Sequence, residues 1–234
     1  MNRGLSLLLA GAVLACSGLT EGEGGVVGIE VSVPGPDTVE VGETIQLSAR
    51  PLDKNGDSPS TSVTWISTDP SASIDAATGA LTGVAPGTTR VQATVGTLGS
   101  ALITFAVVAA ADTLAIAGDS IFTAGVADDA VLPTLATVLS SFNPAGPVAN
   151  RGVIFAITLP DPTVATPSVL INKNGSGVVF DTVLTATDGT ATVALAKSAG
   201  VPPPESLVVT ISSVRTRGAP VRGSGQRFIV RFTP

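Results

Sequence analysis

The stretch VTWISTDPSASIDAATGALTGVAPGTTRVQATV, residues 63–95, decides how this chain folds. Its two ends, VTWIS and TTRVQATV, alternate apolar with polar residues in the period-two manner of strands that bury one face. Between them Asp69-Pro70, Gly79, Gly83 and Gly87 punctuate the chain at short intervals, and no helical periodicity runs long enough to compete. The three glycines predict positive φ at closely spaced reversals, with Leu81 and Val84 pointing inward between them. Trp65, the sole tryptophan, stands mid-strand, where a large ring fills the gap between two sheets. An exposed Trp65 beside polar loops would instead be a stacking platform for a sugar.

Working outward, GIEVSV, TVEV, TIQLSA and ALITFAVV show the same alternation, separated by Gly, Pro, Asp and Asn. Seven or so short strands of this kind predict an antiparallel sandwich over residues 26–108. Trp65 followed by small polar residues, Asp69-Pro70, the run Gly79 through Val84, and Gly87 together resemble the bacterial immunoglobulin-like domain of group 2. That resemblance implies an immunoglobulin-like fold.

AAADTLAIAG, residues 109–118, reads as a junction, after which strands resume: TLATVLSSF, GVIFAITL, GVVFDTVLTA, TATVALA, SLVVTISSV and QRFIVRFT. A Pro/Gly reversal at 143–150, a turn at Asn174-Gly175, a tight hairpin at Asp188-Gly189 and the stiff connector VPPPE (201–205) separate them. Phe155, Phe228 and Phe232 fall on the apolar side of their strands and are expected in a core. Val148, Gly152, Val153 and Phe155, with Thr187, Asp188, Gly189, Ala191 and Val193, resemble the group 1, invasin-like bacterial immunoglobulin domains. The turn is shortened, and SFNPAGPV lacks the aspartate of that pattern. The expected fold class is therefore all-β, two immunoglobulin-like sandwiches in tandem, the second over residues 109–234. The two stretches are not close repeats of one another, which argues against an array of identical modules.

The N-terminus carries an address. Arg3, an apolar run from Leu5 to Ala15 and a small residue before Cys16 follow the order of a secretory signal, and the run is shorter than the roughly 20 residues a spanning helix needs. Val13-Leu14-Ala15-Cys16 resembles a bacterial lipobox. The resemblance implies cleavage of residues 1–15, diacylation and N-acylation (palmitate among the chains) at Cys16, a lipidated flexible tether over 16–25, and membrane attachment. Two or three acyl chains anchor durably where one does not. Ser17 in place of aspartate implies sorting to the outer membrane. Cys16 is the only cysteine, so no internal disulfide can form.

The chain has 234 residues, formal net charge −6, only 13% charged residues and no histidine. Imidazole bases and ligands are excluded, and with them a Ser-His-Asp arrangement. No G-x-S-x-G elbow, CxxC, HExxH or phosphate-binding glycine loop occurs, and Lys54, Lys173 and Lys197 stand in turn-like or strand-end settings unsuited to a Ser-Lys pair. A hydrolase without histidine is the weakest alternative; the expectation is no enzyme and no cofactor. In a turn Asp128-Asp129, beside Asp119, can help hold a calcium ion given enough oxygen ligands, but the expectation is solvated loop acids and no metal.

One charge feature stands out. Arg215, Arg217, Arg222, Arg227 and Arg231 lie in the last twenty residues without a neighbouring acid. Within a strand, Arg227 and Arg231 share a face, as do Arg215 and Arg217. They read either as a solvated strand face or as a face for an anionic partner: lipid headgroups, a glycan phosphate or an acidic protein. Nucleic acid is opposed by the overall charge. The functional expectation is a lipid-anchored envelope protein that binds or scaffolds a partner protein or membrane complex. A cell-surface adhesin and a carbohydrate-binding module are the alternatives.

Overall fold

Trp65, Leu81, Val91 and Phe105 come from four strands and meet in one apolar interior, as the alternation around each requires. The computed structural model describes residues 25–127, 131–161 and 167–234. The first sandwich comprises β1 (Gly28–Ser32), β2 (Thr38–Glu40), β3 (Thr44–Gln46), β4 (Ser48–Leu52), β5 (Thr64–Ser67), β6 (Ala72–Ile74), β7 (Ala80–Gly83), β8 (Gly87–Val95), β9 (Leu98–Gly99) and β10 (Ile103–Val108). One side is the sheet β2-β10-β8-β5; the other is built from β3-β7-β6 and the pair β1-β4. The second sandwich comprises β11 (Thr113–Ile116), β12 (Ile121–Gly125), β13 (Thr134–Phe142), β14 (Ala145–Pro147), β15 (Gly152–Leu159), β16 (Val169–Lys173), β17 (Ser176–Val178), β18 (Phe180–Leu184), β19 (Thr190–Lys197), β20 (Ser206–Ser213) and β21 (Arg227–Thr233). Its sheets are β11-β13-β19-β16-β17 and β12-β21-β20-β15-β18. The fold is all-β, with two immunoglobulin-like sandwiches in tandem.

The two sandwiches share one device that their sequences do not advertise. In each, the opening strand breaks and changes sheets. β1 pairs antiparallel with β4, whereas β2 runs parallel to β10; β11 pairs antiparallel with β13, whereas β12 runs parallel to β21. The breaks fall at Pro34-Gly35-Pro36 and at Ala117–Ser120, where proline and glycine interrupt the ladder. Joining first to last strand in this way covers an edge that would otherwise be open.

Several local expectations change. Residues 109–118 are more than a junction: Thr113–Ile116 form β11, the opening strand of the second sandwich. GVVFDTVLTA splits at Val179, β17 joining one sheet and β18 the other. Asp188-Gly189 does not close a hairpin of paired neighbours, because β18 and β19 belong to opposite sheets; Gly189 (φ 76°) makes the turn between them. Asn174 and Gly175, both at positive φ (51° and 84°), do form the two-residue turn of the β16–β17 hairpin, as a primed turn demands.

The glycines of the deciding stretch divide by cause. Gly79 adopts φ 75°, and a Cβ there would lie 2.6 Å from the Trp65 indole nitrogen. Gly83 has no positive φ; it is needed because a Cβ would come within 2.5 Å of the Glu40 carbonyl oxygen. Leu81 is fully buried, but Val84 is half exposed, since it follows the end of β7 and no longer obeys that strand's alternation. In the second core Phe155 and Phe228 stack with ring centroids 6.5 Å apart, and Phe122 packs on Phe228 at 6.4 Å.

Candidate functional site

Glu40 closes β2, with Val39 turned into the first core. Alternation therefore puts the Glu40 side chain on the outer face of its sheet, where a carboxylate ordinarily meets water. It is only 1% exposed, because two turns of the second sandwich lie over it. Arg151 comes from the turn before β15, and Arg215, Thr216 and Arg217 from the turn after β20.

The Glu40 carboxylate accepts four hydrogen bonds. Its Oε1 accepts from the Thr216 backbone N–H and from the Thr216 hydroxyl, both at 3.0 Å, and from Arg151 Nη2. Its Oε2 accepts from Arg215 Nη1 at 3.3 Å. Arg151 Nη1 in turn donates to the Thr216 hydroxyl at 2.9 Å, closing a ring of three side chains. The other arm of Arg215 reaches Asp112 Oδ1, and Asp112 Oδ2 accepts the Phe142 N–H at 2.7 Å. That ties the segment between the sandwiches to the end of β13.

A second clasp lies beside the first. In the turn after β2, Glu43 Oε2 accepts the Glu40 N–H at 2.8 Å, while its Oε1 sits 2.9 Å from Arg217 Nε. The Arg217 fork donates to the carbonyl oxygens of Pro34 (2.6 Å) and Pro36 (3.0 Å). Gly35, at φ +74°, lets the chain curl around that guanidinium, since a Cβ would stand 2.7 Å from Nη1. Three carboxylates thus meet three guanidinium groups across the junction. Such a set adds little against a well-packed apolar junction, but removing one member strands a buried charge at a cost of about 3–5 kcal/mol. The chemistry here is orientation: guanidinium forks and carboxylates fix the turns of one sandwich against the other.

The arginines expected on one face therefore separate. Arg215 and Arg217 leave the strand pattern, since they follow β20 in a turn rather than continuing it, and both are held by carboxylates of the first sandwich. Arg222 is exposed beside β11, where Thr113 and Arg222 form an isolated bridge. Arg227 and Arg231 remain on the outer face of β21, opposite buried Phe228 and Phe232. Trp65 is 4% exposed and Phe155 fully buried, so the Trp65 ring offers no platform to a sugar. Asp119 is exposed before β12; Cys16, Asp128 and Asp129 lie outside the described residues. Among the described residues no group of three or more His, Cys, Asp or Glu is placed to hold a metal ion, and no helix is long and apolar enough to cross a membrane.

Glu40, Glu43, Asp112 and Arg151 were not singled out by their sequence context. The available signal was indirect: a run of arginines lacking local acids must find carboxylates elsewhere or face solvent. The concavities are correspondingly poor in chemistry. One is lined by Ala49, Pro51, Ser58 and Val63 among other small residues, and another contains the Lys173–Asp181 ion pair at 2.6 Å.

The shifted carboxylates are turn-builders. Asp69 takes both Nε and Nη2 of Arg90 and the Arg90 backbone N–H, at 3.1, 3.2 and 2.9 Å. The Arg90 guanidinium first, then Thr68, hold its pKa down to about 2. Asp75 accepts the Thr78 N–H (2.7 Å) and hydroxyl (2.8 Å), and Asp188 those of Thr190 (3.0 and 2.6 Å). These bonds lower both acids, because each stabilises the charged form.

The family description "bacterial Ig-like domain (group 2)" matches residues 27–105. No curated protein matches the chain in sequence. Among solved structures, the adhesin InvE of Yersinia pseudotuberculosis is similar at 15% identity, with a TM-score of 0.37, over 91% of this chain and 62% of the adhesin's. This chain thus spans less than two thirds of that protein. Domains 4 and 5 of the S-layer protein SbsC are similar at 15% identity and TM-score 0.32, over 89% of this chain and 99% of theirs. The D00-D0 domain of intimin is similar at 16% identity and TM-score 0.31, over 88% and 100%. The chain carries an N-terminal immunoglobulin-like domain matching group 2, followed by a second immunoglobulin-like β-sandwich.

Proposed function

We propose that this protein is a lipid-anchored, non-enzymatic component of the bacterial envelope whose two sandwiches act as one rigid unit to present a binding surface to a partner protein or membrane complex. The observation that carries this reading is the junction. A carboxylate 1% exposed, satisfied by three residues of the other sandwich, is a device for fixing one domain against another. A binding spacer needs that; a flexible tandem does not. The segment around Cys16 supplies the anchor, residues 16–25 the tether, and the boundary between the sandwiches falls near residue 108. The second sandwich is read as an invasin-like, group 1 domain.

A cell-surface adhesin is the second reading, favoured by the same rigidity, which holds a distal face away from the membrane. The test is to express the full chain in a diderm bacterium and isolate membranes in mild detergent. Acylated Cys16 as the new N-terminus, release of Cys16→Ser into the soluble fraction, and a stoichiometric companion are the expected results. An acylated protein with no companion, whose expression makes cells adhere, would favour the adhesin. An intact residue 1–15 segment with a free thiol would overturn the anchor.

A further inference from the structure

The outer face of a sandwich sheet normally carries polar residues. In the sheet β12-β21-β20-β15-β18 polar positions share that face with an uninterrupted apolar row. β15 (GVIFAITL) is apolar on both sides: Val153, Phe155 and Ile157 turn inward, while Ile154 and Ala156 turn out. A short continuous apolar run is consistent with a strand covered on both faces. The registers align one apolar row across four strands: Ile121 opposite Ile229, Ile229 opposite Val208, and Val208 opposite Leu159. Ile121 and Leu159 are 56% and 50% exposed, and Phe180 and Leu184 on the edge strand β18 are 63% and 64% exposed.

Arginines bracket that row. Arg227 stands in the neighbouring row with Thr210, Ala156 and Phe180, and Arg231 in the row on the other side with Thr123 and Ser206. Four residues along one strand separate them by about 13 Å. Neither makes an ion pair among the described residues. The outward positions of these five strands include no Asp or Glu, since Asp181 of β18 turns inward to Lys173. In a chain of net charge −6, this is a basic and apolar face.

We infer that this face docks a protein segment in which apolar side chains are flanked by two carboxylates, the apolar part lying on the Ile121–Ile229–Val208–Leu159 row and the carboxylates on Arg227 and Arg231. The bidentate geometry of arginine toward carboxylate gives such docking its register. A second copy of the chain is disfavoured because a two-fold pairing would bring this doubly cationic face against itself. An anionic lipid surface is disfavoured because two cations attract headgroups only weakly, where stable membrane recruitment uses a larger basic cluster. The inference deepens the binding reading and rests on it.

The test uses full chain with uniform methyl labelling and three probes: a nine-residue peptide with Glu at positions 3 and 7 and Val or Ile between them, the same peptide with Lys at both positions, and phosphatidylglycerol vesicles. The expected result is that the Glu peptide shifts the methyls of Ile121, Ile229 and Val208, the Lys peptide does not, and Arg227→Glu/Arg231→Glu weakens Glu-peptide binding about tenfold or more. Both sites are exposed on β21, and an unchanged circular dichroism spectrum confirms that the variant folds. Shifts confined to other residues, an affinity unchanged by charge reversal, binding of vesicles but not peptide, or concentration-dependent self-association through these methyls would each overturn it. Repeating the membrane isolation with the double variant separates the two claims. A companion retained by the variant sinks the face and leaves the binding reading standing, whereas no companion with the unaltered protein sinks that reading itself.

Discussion

Replacing Glu40 by alanine is the sharpest perturbation of the junction. The substitution deletes an acceptor shared by the Thr216 N–H, the Thr216 hydroxyl and two guanidinium groups. Hydrogen bonds to a charged group contribute about 1.5–3 kcal/mol each, but the carboxylate's own desolvation offsets much of their sum. What remains is the cost of leaving Arg151, whose side chain is mostly buried, without its carboxylate and the Thr216 N–H without its acceptor. Removing one member of a buried ion pair costs about 3–5 kcal/mol, and that is the expected loss. It should fall on the coupling between sandwiches rather than on either core, because the contacts removed all cross the junction. Trp65 is the sole tryptophan and reports only the first sandwich, whereas far-ultraviolet circular dichroism reports both. In urea the two signals should coincide for the unaltered protein and separate for Glu40→Ala, as two-state behaviour fails. A cycle with Arg151→Ala should return a coupling of about 1–3 kcal/mol. A Glu40→Ala protein that loses less than about 0.5 kcal/mol, with both signals still coincident, would show that Glu40 does not couple the sandwiches.

Other outcomes follow from the same geometry. Gly79→Ala meets both a left-handed backbone and the indole of Trp65, so a loss of about 2–4 kcal/mol with a changed Trp65 emission is expected on denaturation. Phe228→Ala removes the ring on which both Phe122 and Phe155 pack and should cost about 3–5 kcal/mol, measured by the same urea titration. Asp69 is held at a pKa of about 2 in the folded protein, below its unfolded value. Its contribution to stability is therefore fully present above about pH 4 and lost as pH falls toward 2. A carbon-detected titration should give a midpoint near 2 for Asp69 and return it toward 3.8 in Arg90→Ala; a midpoint already near 3.8 would deny the pairing.

The fold was legible because alternation reports faces directly. GVIFAITL, TATVALA, SLVVTISSV and QRFIVRFT lie within a residue or so of β15, β19, β20 and β21, and Phe155 and Phe228 stand where period two puts them. What alternation cannot report is which sheet a strand joins. β17 and β18 read as one strand because nothing in Val178-Val179-Phe180 marks the crossing. The junction was illegible for a related reason. TVEV correctly turns Glu40 outward, but only the assembled chain puts Arg151 and Arg215, more than a hundred residues away, over that outward position. The arginine cluster was visible as a charge imbalance, and its division between an internal clasp and an outer face depends on a turn after β20 that breaks the strand period.

Residual dipolar couplings measured on the two sandwiches of the full chain report whether the junction holds them as one rigid unit. One alignment tensor should fit both domains, with the orientation set by the Glu40 and Arg217 clasps, and should divide into two tensors in Glu40→Ala/Arg217→Ala. Two tensors of different magnitude in the unaltered protein would contradict a rigid unit, and with it the proposal that the pair presents its outer face as one body.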